Sequence, residues 1–258
     1  MGIYNCEKTL EEAIESLLKQ TYKKWKLVMC DDGSKDNTYL IAKKYANKYN
    51  NIILLRNEVN KGLNYTLNHC LKYVDTDYVA RMDGDDISLP TRLEKEVNFL
   101  ENHPEYAIVS CNMIYFDENG EWGRGKYINN FPKKKDFVHG TPFCHAPCLV
   151  RTEAYKSVDG YSENNFLIRV EDYHLWYKMY LKGYKGYNFD EPLYKVRDDR
   201  NAINRRKLKF RINEAYVKFL IIRNFKLPIK NYIFILRPIL VGLLPTKIYE
   251  YLHKKRMK

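Results

Sequence analysis

Apolar residues recur along the first half of the chain with two alternating spacings. Residues 10–18 show the three-to-four-residue apolar spacing of an amphipathic helix, and Thr9 with Glu12 fits a capping box at its start. Lys26–Cys30 is instead a short apolar run, which predicts a buried strand. The alternation continues, predicting helices that begin near residues 38, 63, 90 and 171, and strands at 52–55, 77–81, 106–115 and 146–151. Short strand and helix units in this order favour parallel βαβ winding, with helices on both faces of a sheet.

Two segments depart from this alternation. Residues 118–132 are rich in Gly and Asn and predict a mobile loop. From about Ala202 the pattern becomes helical and basic. Its most apolar part, Tyr232–Leu244, is interrupted by Arg237, Pro238 and Gly242 and is too short to cross a bilayer, although it has the length to lie in a membrane interface.

The charge of the chain is concentrated at its C-terminal end. The 258 residues carry a net charge of +12, of which +14 lies in Lys195–Lys258, so that residues 1–194 carry −2. A basic tail on a near-neutral body indicates contact with an anionic surface, either membrane lipid or nucleic acid, and a solvated basic helix is the alternative. The mixture of basic and apolar stretches, without a recognised nucleic-acid-binding motif, favours the membrane.

The cysteines indicate a reducing environment and leave one metal question open. No secretory signal precedes the six cysteines, which favours the cytosol and free thiols. Cys144 and Cys148 flank His145, an arrangement that zinc sites also use. Because no second Cys/His pair stands at a conventional spacing, buried apolar cysteines explain this segment better.

Two acidic clusters each follow a predicted strand directly. They are Asp31-Asp32-Gly33-Ser34 and Asp83-Gly84-Asp85-Asp86. Since the carboxyl ends of parallel strands meet at one edge of a sheet, we expect the clusters to converge there. Carboxylates on a glycine-containing turn bind hard divalent cations or accept hydrogen bonds from a nucleoside, whereas a single such turn is also ordinary loop chemistry.

A third acidic pair, Glu171-Asp172, opens the helix predicted near residue 171. Carboxylates are favoured at such a position by the exposed amides alone. The functional alternative is a general base that takes the proton from an acceptor hydroxyl.

Several motifs occur in an order that resembles family-2 glycosyltransferases. They are Tyr4–Glu7, Ser16–Tyr22, Asp31–Thr38, Asn60–Gly62, Arg81–Asp86, Pro90–Glu94 and Glu171–Trp176. Each motif is common by itself, but the ordered set across residues 3–197 is specific. The resemblance implies an α/β GT-A fold, a Rossmann-like, mostly parallel sheet flanked by helices. It also implies an inverting, single-displacement transfer of a sugar from a nucleotide diphosphate.

The resemblance further implies roles for individual residues. Those assigned to the nucleotide donor are Tyr4, Asn5, Asp31, Asp32, Lys61, Gly62, Arg81 and Asp83. Asp85 is expected to be the main ligand of Mn²⁺ or Mg²⁺, with Asp83 beside it. Asp172 is expected to be the catalytic base, with Glu171 supporting it or the acceptor. His145 is a further candidate for contact with phosphate, metal or acceptor, against a packed structural histidine.

Two positions depart from the family pattern. Many relatives carry an apolar strand before a Pro-x-Tyr-Asn element, whereas this sequence reads Met1-Gly2-Ile3-Tyr4-Asn5, so the first strand is expected to be missing or truncated. Its absence would expose the edges of neighbouring strands. Leu67 stands where many relatives have an Arg that contacts the nucleotide phosphates, and Arg81 is a possible substitute.

These observations predict a catalytic domain over residues 1–197 and a basic, partly amphipathic helical region over residues 198–258. We expect a cytoplasmic enzyme, peripheral on the inner face of the cell membrane, that uses a UDP-sugar and a glycan or lipid-linked acceptor in cell-surface glycan synthesis, without nucleic acid. One alternative is a degenerate, non-catalytic nucleotide-binding scaffold at the membrane. A sugar nucleotidyltransferase is a less favoured alternative, because the sequence has no Gly-rich, basic phosphate loop near its start. A dehydrogenase is disfavoured because no Gly-x-Gly-x-x-Gly follows a predicted strand.

Overall fold

The computed structural model describes residues 1–125, 129–198 and 207–243, which form nine strands and eight α-helices. In chain order they are β1 (Gly2–Ile3), α1 (Leu10–Leu18), β2 (Leu27–Asp31), α2 (Thr38–Lys48), β3 (Ile52–Arg56), α3 (Leu63–Leu71), β4 (Tyr78–Ala80), β5 (Ile87–Ser88), α4 (Arg92–Asn102), β6 (Ile108–Asp117), β7 (Gly120–Arg124), β8 (Leu149–Arg151), α5 (Thr152–Ser157), α6 (Glu171–Leu181), β9 (Gly186–Arg197), α7 (Leu208–Asn224) and α8 (Ile233–Leu243).

The first three strands form a parallel sheet in the order β1-β2-β3. The helices α1 and α2 connect them, as the alternating pattern predicts. Leu10 and Ile14 of α1 are fully buried against Met29 of β2, which explains the apolar spacing of the helix. The ends of β1 and β2 therefore open at the same edge of this sheet.

The other six strands form a mixed sheet, in the order β4-β8-β6-β9-β5 with β7 paired to β6. In this sheet β6 and β9 are parallel, and the other pairs are antiparallel. The α/β class and the helical C-terminal part are confirmed. Parallel pairing, however, is limited to the first sheet and the β6–β9 pair. The other four pairs of the second sheet, β4–β8, β8–β6, β6–β7 and β9–β5, are antiparallel.

Two local predictions were wrong, and one strand was missed. The predicted mobile loop over residues 118–132 contains β7, which turns back on β6 to form a hairpin, and residues 126–128 lie outside the described ranges. Thr9 makes no capping bond to α1, because its hydroxyl donates to the Gly84 carbonyl at 3.0 Å. The twelve-residue strand β9 was not predicted at all, since Asp190-Glu191-Pro192 interrupts its apolar pattern.

The first strand is present but very short. Gly2 pairs with Cys30 and Ile3 with Asp31, so β1 covers only the end of β2. Beyond it, a cavity of about 460 Å³ opens between Leu27–Val28 of the first sheet and Tyr78–Ala80 of the second. The strand edges that a truncated first strand was expected to expose therefore face this cavity between the two sheets.

The helix α7 packs against the body through one face. Val217 and Ile221 are fully buried in a cluster that also contains Phe137 and Trp176. Parts of the predicted basic region, residues 199–206 and 244–258, lie outside the described residues. Across the ranges that the structure describes, no helix has both the length and the apolar content needed to cross a bilayer.

Candidate active site

The acidic loop between β4 and β5 brings three carboxylates together. Asp83, Asp85 and Asp86 each offer an oxygen within 4.8 Å of the other two. Asp85 is exposed, Asp83 is half-buried and Asp86 is buried, so the cluster opens towards solvent on the Asp85 side. Oxygen donors at this spacing suit a hard divalent cation such as Mg²⁺ or Mn²⁺.

The electrostatics of the loop favour a cation as well. Burial, followed by repulsion from Asp83 and Asp85, raises the pKa of Asp86 to about 8. Although Asp85 as a whole is exposed, partial desolvation of its carboxyl group, then the charge of Asp83, also raises the pKa of Asp85. A bound cation would offset the repulsion that remains among these three side chains.

Arg81 is a buried side chain that binds the carboxylate of Asp83. Its two terminal nitrogens donate to the two oxygens of Asp83, each at 2.5 Å, and the side chain is only 7% exposed. Both Asp83 oxygens are thus engaged, which leaves Asp85 as the most available carboxylate of the loop. Within the protein Arg81 contacts Asp83, and its predicted contact with the nucleotide stays a prediction.

Two residues of β9 hold the same loop from the other side. Tyr194 accepts a hydrogen bond from the Asp83 amide at 3.2 Å. Arg197 donates its amide to Asp86 Oδ1 at 2.8 Å and its Nε to the Asp85 carbonyl at 3.0 Å. No sequence pattern points to either residue, since both stand outside any local motif and reach the loop through a strand that lies more than 100 residues away in the chain.

The Asp31-Asp32 turn is positioned at the end of β2 and is buried. Asp31 accepts from Arg56 Nε at 3.2 Å. Asp32 accepts from the amides of Lys61 and Gly62 at 2.8 and 2.9 Å and so holds that loop in place. Both aspartates are engaged by protein groups, and Asp32 fixes the backbone of the neighbouring donor-site candidates.

The two acidic turns meet across the end of β1. The Asp32 amide donates to the Ile3 carbonyl at 2.9 Å, which ties the first turn to β1. Gly84 packs on the other side, so closely that a methyl group there would lie 3.0 Å from Cys6 Sγ and 3.1 Å from Ile3 Cγ2. The expected convergence of the two clusters is therefore present, with Ile3 between them.

A cavity of about 500 Å³ adjoins the acidic loop. It is lined by Gly2–Thr9, Asp36, Asp83–Asp85 and Arg197, and thus includes the predicted donor residues Tyr4 and Asn5. Asn5 has a positive φ of 48° and is held by Ser34, whose hydroxyl accepts its amide at 3.0 Å. This volume lies within the range of small-molecule sites. Asp31, Asp32, Lys61, Gly62, Arg81, His145, Glu171 and Asp172 do not line it.

The Glu171-Asp172 pair opens α6, as predicted from the sequence. Burial, then the charge of Glu171, raises the pKa of Asp172 to about 6, while Arg81 and the Thr141 hydroxyl lower it. The Thr141 hydroxyl donates to Asp172 Oδ2 at 3.4 Å. The charge of Arg81 also partly opposes the rise in the pKa of Asp85 and Asp86. This one guanidinium therefore acts electrostatically on both the acidic loop and the start of α6.

His145 belongs to an aromatic cluster next to this region. Its Nε2 is 2.6 Å from the Tyr161 hydroxyl, and its ring packs against Trp176. Burial, then the charge of Arg81, holds its pKa well below the usual value, so the ring is neutral. This environment favours a packed structural histidine. All six cysteines are free thiols, and Cys148 is buried, in keeping with an apolar role.

Comparisons with proteins of known sequence identify relatives across the whole chain. EpsE of Bacillus subtilis, named as a glycosyltransferase, is 45% identical over all of this chain and 92% of its own length. The amylovoran biosynthesis glycosyltransferase AmsE of Erwinia amylovora is 30% identical over all of this chain and 98% of its own. The glucosyltransferase WfgD of Escherichia coli is 32% identical over 68% of this chain and 66% of its own.

Solved structures share the fold at lower identity. S. aureus TarS superposes with a TM-score of 0.69 at 23% identity, over 93% of this chain and 69% of that one. A mannosyltransferase of Pyrobaculum calidifontis, solved with GDP-Man and Mn²⁺, gives a TM-score of 0.65 at 19% identity, over 96% of this chain and 70% of that one. These neighbours show the GT-A fold. The family model described as glycosyl transferase family 2 matches residues 1–159, and this chain, an enzyme of the glycosyltransferase class, belongs to that family.

Proposed function

We propose that this enzyme transfers a sugar from a UDP-sugar to a glycan or lipid-linked acceptor, with inversion at the anomeric carbon, in cell-surface glycan synthesis. The observation that carries the proposal is the cavity shared by the Tyr4–Thr9 turn and the acidic loop. It offers apolar and aromatic surface for a nucleoside next to carboxylates for a metal-bound diphosphate. The inverting stereochemistry rests on the family resemblance.

In this proposal Asp85 is the principal ligand of Mn²⁺ or Mg²⁺. Asp83 is the second candidate ligand, although Arg81 already engages both of its oxygens. When bound, such a cation neutralises the diphosphate as it leaves. The protein contributes the shape of the loop, since Arg81, Tyr194 and Arg197 fix three of its groups before any ligand arrives.

Asp172 is the proposed general base, with Glu171 beside it. The acceptor oxygen attacks the anomeric carbon while its proton passes to Asp172, and the bond from that carbon to the phosphate oxygen breaks with its electron pair on the nucleoside diphosphate. A carboxyl with a pKa of about 6 is ionised at neutral pH and is basic enough to take the proton as it is released. Glu171 raises that pKa by its charge and thereby strengthens the base.

The choice of donor and acceptor is supported by the names of similar proteins. WfgD is named as a glucosyltransferase that uses UDP-Glc and α-D-GlcNAc-diphosphoundecaprenol. TarS structures are described with UDP, at 63% coverage of that chain, and with UDP-GlcNAc. We therefore propose a UDP-sugar, a lipid-linked acceptor, and a cytoplasmic location on the inner face of the cell membrane.

The test is a transfer assay with the full chain, Mn²⁺, a panel of UDP- and GDP-sugars and a polyprenyl-diphosphate-linked GlcNAc acceptor. Asp172→Asn is expected to lower kcat by roughly 10²–10⁴-fold, because it removes a general base. Asp85→Asn is expected to lose transfer through weaker cation binding. Glu191→Gln is the matched control, since Glu191 pairs with Lys95 on the surface.

Each outcome bears on a separate part of the proposal. Near-native turnover of Asp172→Asn would overturn the assignment of the base. Transfer from a GDP-sugar alone would overturn the choice of UDP. Nucleotide binding without transfer from any donor would favour the non-catalytic scaffold instead.

A further inference from the structure

The C-terminal helices form an antiparallel hairpin on the outside of the catalytic body. The inner face of α7 is buried in the core, and its Asn213 donates to the Ile168 carbonyl at 3.0 Å. The helix α8 returns along α7, with Gly242 close to Leu208 and Arg211. Within α8, as far as the structure describes it, only Pro238 is buried.

One side of α8 presents an exposed apolar stripe. We call Ile229 together with Ile233, Leu236, Leu240 and Leu243 the apolar ridge. Their exposed fractions are 86%, 67%, 54%, 61% and 64%. The four helical members are spaced by three, four and three residues, which places them on one face of the helix. Large aliphatic side chains so exposed, in so regular a row, mark a surface that is covered by something else.

The charges around the ridge identify the kind of partner. Residues 207–243 contain eight Lys or Arg residues and one acidic residue, Glu214. Glu214 is already paired with Arg211 at 3.0 Å and with Lys218 at 3.2 Å. The ridge therefore lies in a strongly positive segment whose single carboxylate is neutralised internally.

We propose that the apolar ridge is a membrane-docking surface that inserts into the interface of an anionic bilayer, with α8 lying in the membrane plane. A basic helix with one apolar face is the form that binds such interfaces. Lys218 is buried and, like Arg211, is paired with Glu214, but the other six basic residues of this segment are exposed, and anionic headgroups complement them. A second copy of the chain fits less well, because it would bring an equally positive segment against the first.

The role of this docking surface rests on the proposed function, in which the acceptor is held at the membrane, and the proposal deepens that function. It places the body of the enzyme beside the bilayer through the hairpin, so that the acceptor is met where its lipid is anchored. The exposure, spacing and charge of the residues that form the surface do not depend on the identity of the acceptor.

The test is vesicle flotation of the full chain with two compositions, phosphatidylcholine alone and phosphatidylcholine with phosphatidylglycerol. The wild-type protein is expected to float with the anionic vesicles and to remain largely unbound with the neutral ones. The variant Leu236→Ser/Leu240→Ser/Leu243→Ser is expected to bind anionic vesicles at least roughly tenfold more weakly. It removes apolar side-chain area that the membrane interface would otherwise bury. Leu40→Ser is the matched control, since Leu40 is 62% exposed on α2.

The outcomes distinguish membrane docking through the apolar ridge from dimerisation through it, and from the proposed enzymatic function. Equal flotation of the triple variant and the wild type, or equal binding to both vesicle types, would overturn it. A wild-type dimer in solution that the triple variant loses, without flotation, would show that a second copy covers the ridge. The triple variant should keep its melting temperature and its transfer rate on a short-chain, water-soluble acceptor. If flotation fails while that transfer persists, the docking surface is wrong and the enzymatic function stands.

Discussion

At the scale of single residues, Arg81 connects groups that are far apart in sequence. It is bonded to Asp83 through both terminal nitrogens, and its charge opposes the burial that raises the pKa of Asp85 and Asp172. The same charge lowers the pKa of His145 further. Proposed metal ligands and the proposed base therefore lie near one buried cation, whose charge partly offsets the effect of burial on the pKa of Asp85 and Asp172.

Replacing Arg81 by Lys is expected to weaken cation binding and transfer together. Lysine keeps the charge but cannot form the two parallel bonds to Asp83, and a charge-assisted bond contributes about 1.5–3 kcal/mol. We therefore expect Mn²⁺ affinity to fall by roughly 10–100-fold in a Mn²⁺ titration. Arg124→Lys is the control, because Arg124 donates only to the exposed Asp190 carbonyl in the contacts described. Unchanged Mn²⁺ affinity in Arg81→Lys would remove Arg81 from the positioning of the loop.

The pH dependence of transfer is expected to follow Asp172. Its pKa is about 6, and the base must be ionised, so kcat should rise as the pH increases through about 6 and then level off. Thr141→Val removes a hydroxyl that lowers this pKa, and it should move the rise to higher pH. A pH–kcat profile that is the same in the wild type and in Thr141→Val would contradict the assignment.

At the scale of elements, the sequence predicts best where local chemistry decides the outcome. The helix predicted to begin near residue 171 starts at Glu171, and its apolar face and the Gly183 that follows Leu181 are both local signals. Thr9 failed as a cap because a distant carbonyl, that of Gly84, competes for its hydroxyl. The contributions of Tyr194 and Arg197 depend on where β9 docks, which no local pattern encodes.

The turn after β2 offers a test of such a local signal. Gly33 has a φ of 71°, and a methyl group there would lie 2.9 Å from the backbone carbon of Val59. Gly33→Ala is therefore expected to lower the free energy of unfolding by roughly 2–4 kcal/mol, from backbone strain and a clash that only backbone movement relieves. It should also weaken nucleotide binding, since the turn and the Val59–Gly62 loop shift together. Urea denaturation measures the first effect.

Gly120→Ala is the matched control for that measurement. Its φ of 111° is also positive, but nothing lies within 4 Å of the added methyl group. It isolates the conformational cost, which is about 1 kcal/mol. Equal losses in the two variants would mean that contact with the Val59 backbone contributes nothing.

At the scale of the whole molecule, the proposed donor cavity is built from both sheets. The Tyr4–Thr9 turn follows β1 of the first sheet, whereas Asp83–Asp85 precede β5 of the second. The sequence predicts that the acidic turns converge, but not that they belong to separate sheets with a cavity of about 460 Å³ between them. That division depends on how far β1 runs along β2 and on which later strands pair with one another, and the second of these is not encoded in any local pattern.

A ligand that joins the two sheets should stabilise the whole molecule. UDP with Mn²⁺, at about 100 times its Kd, adds about 2.7 kcal/mol by mass action. For a chain of this size, that corresponds to a rise in Tm of roughly 5–11 °C. UDP without the cation should give a much smaller shift, because the acidic loop repels the diphosphate. In Asp85→Asn the Mn²⁺-dependent part of the shift should disappear, whereas Glu191→Gln should behave as the wild type. An equal rise in Tm with and without Mn²⁺ would mean that the nucleotide binds away from the acidic loop, and a larger response to GDP would move the donor to another nucleotide class.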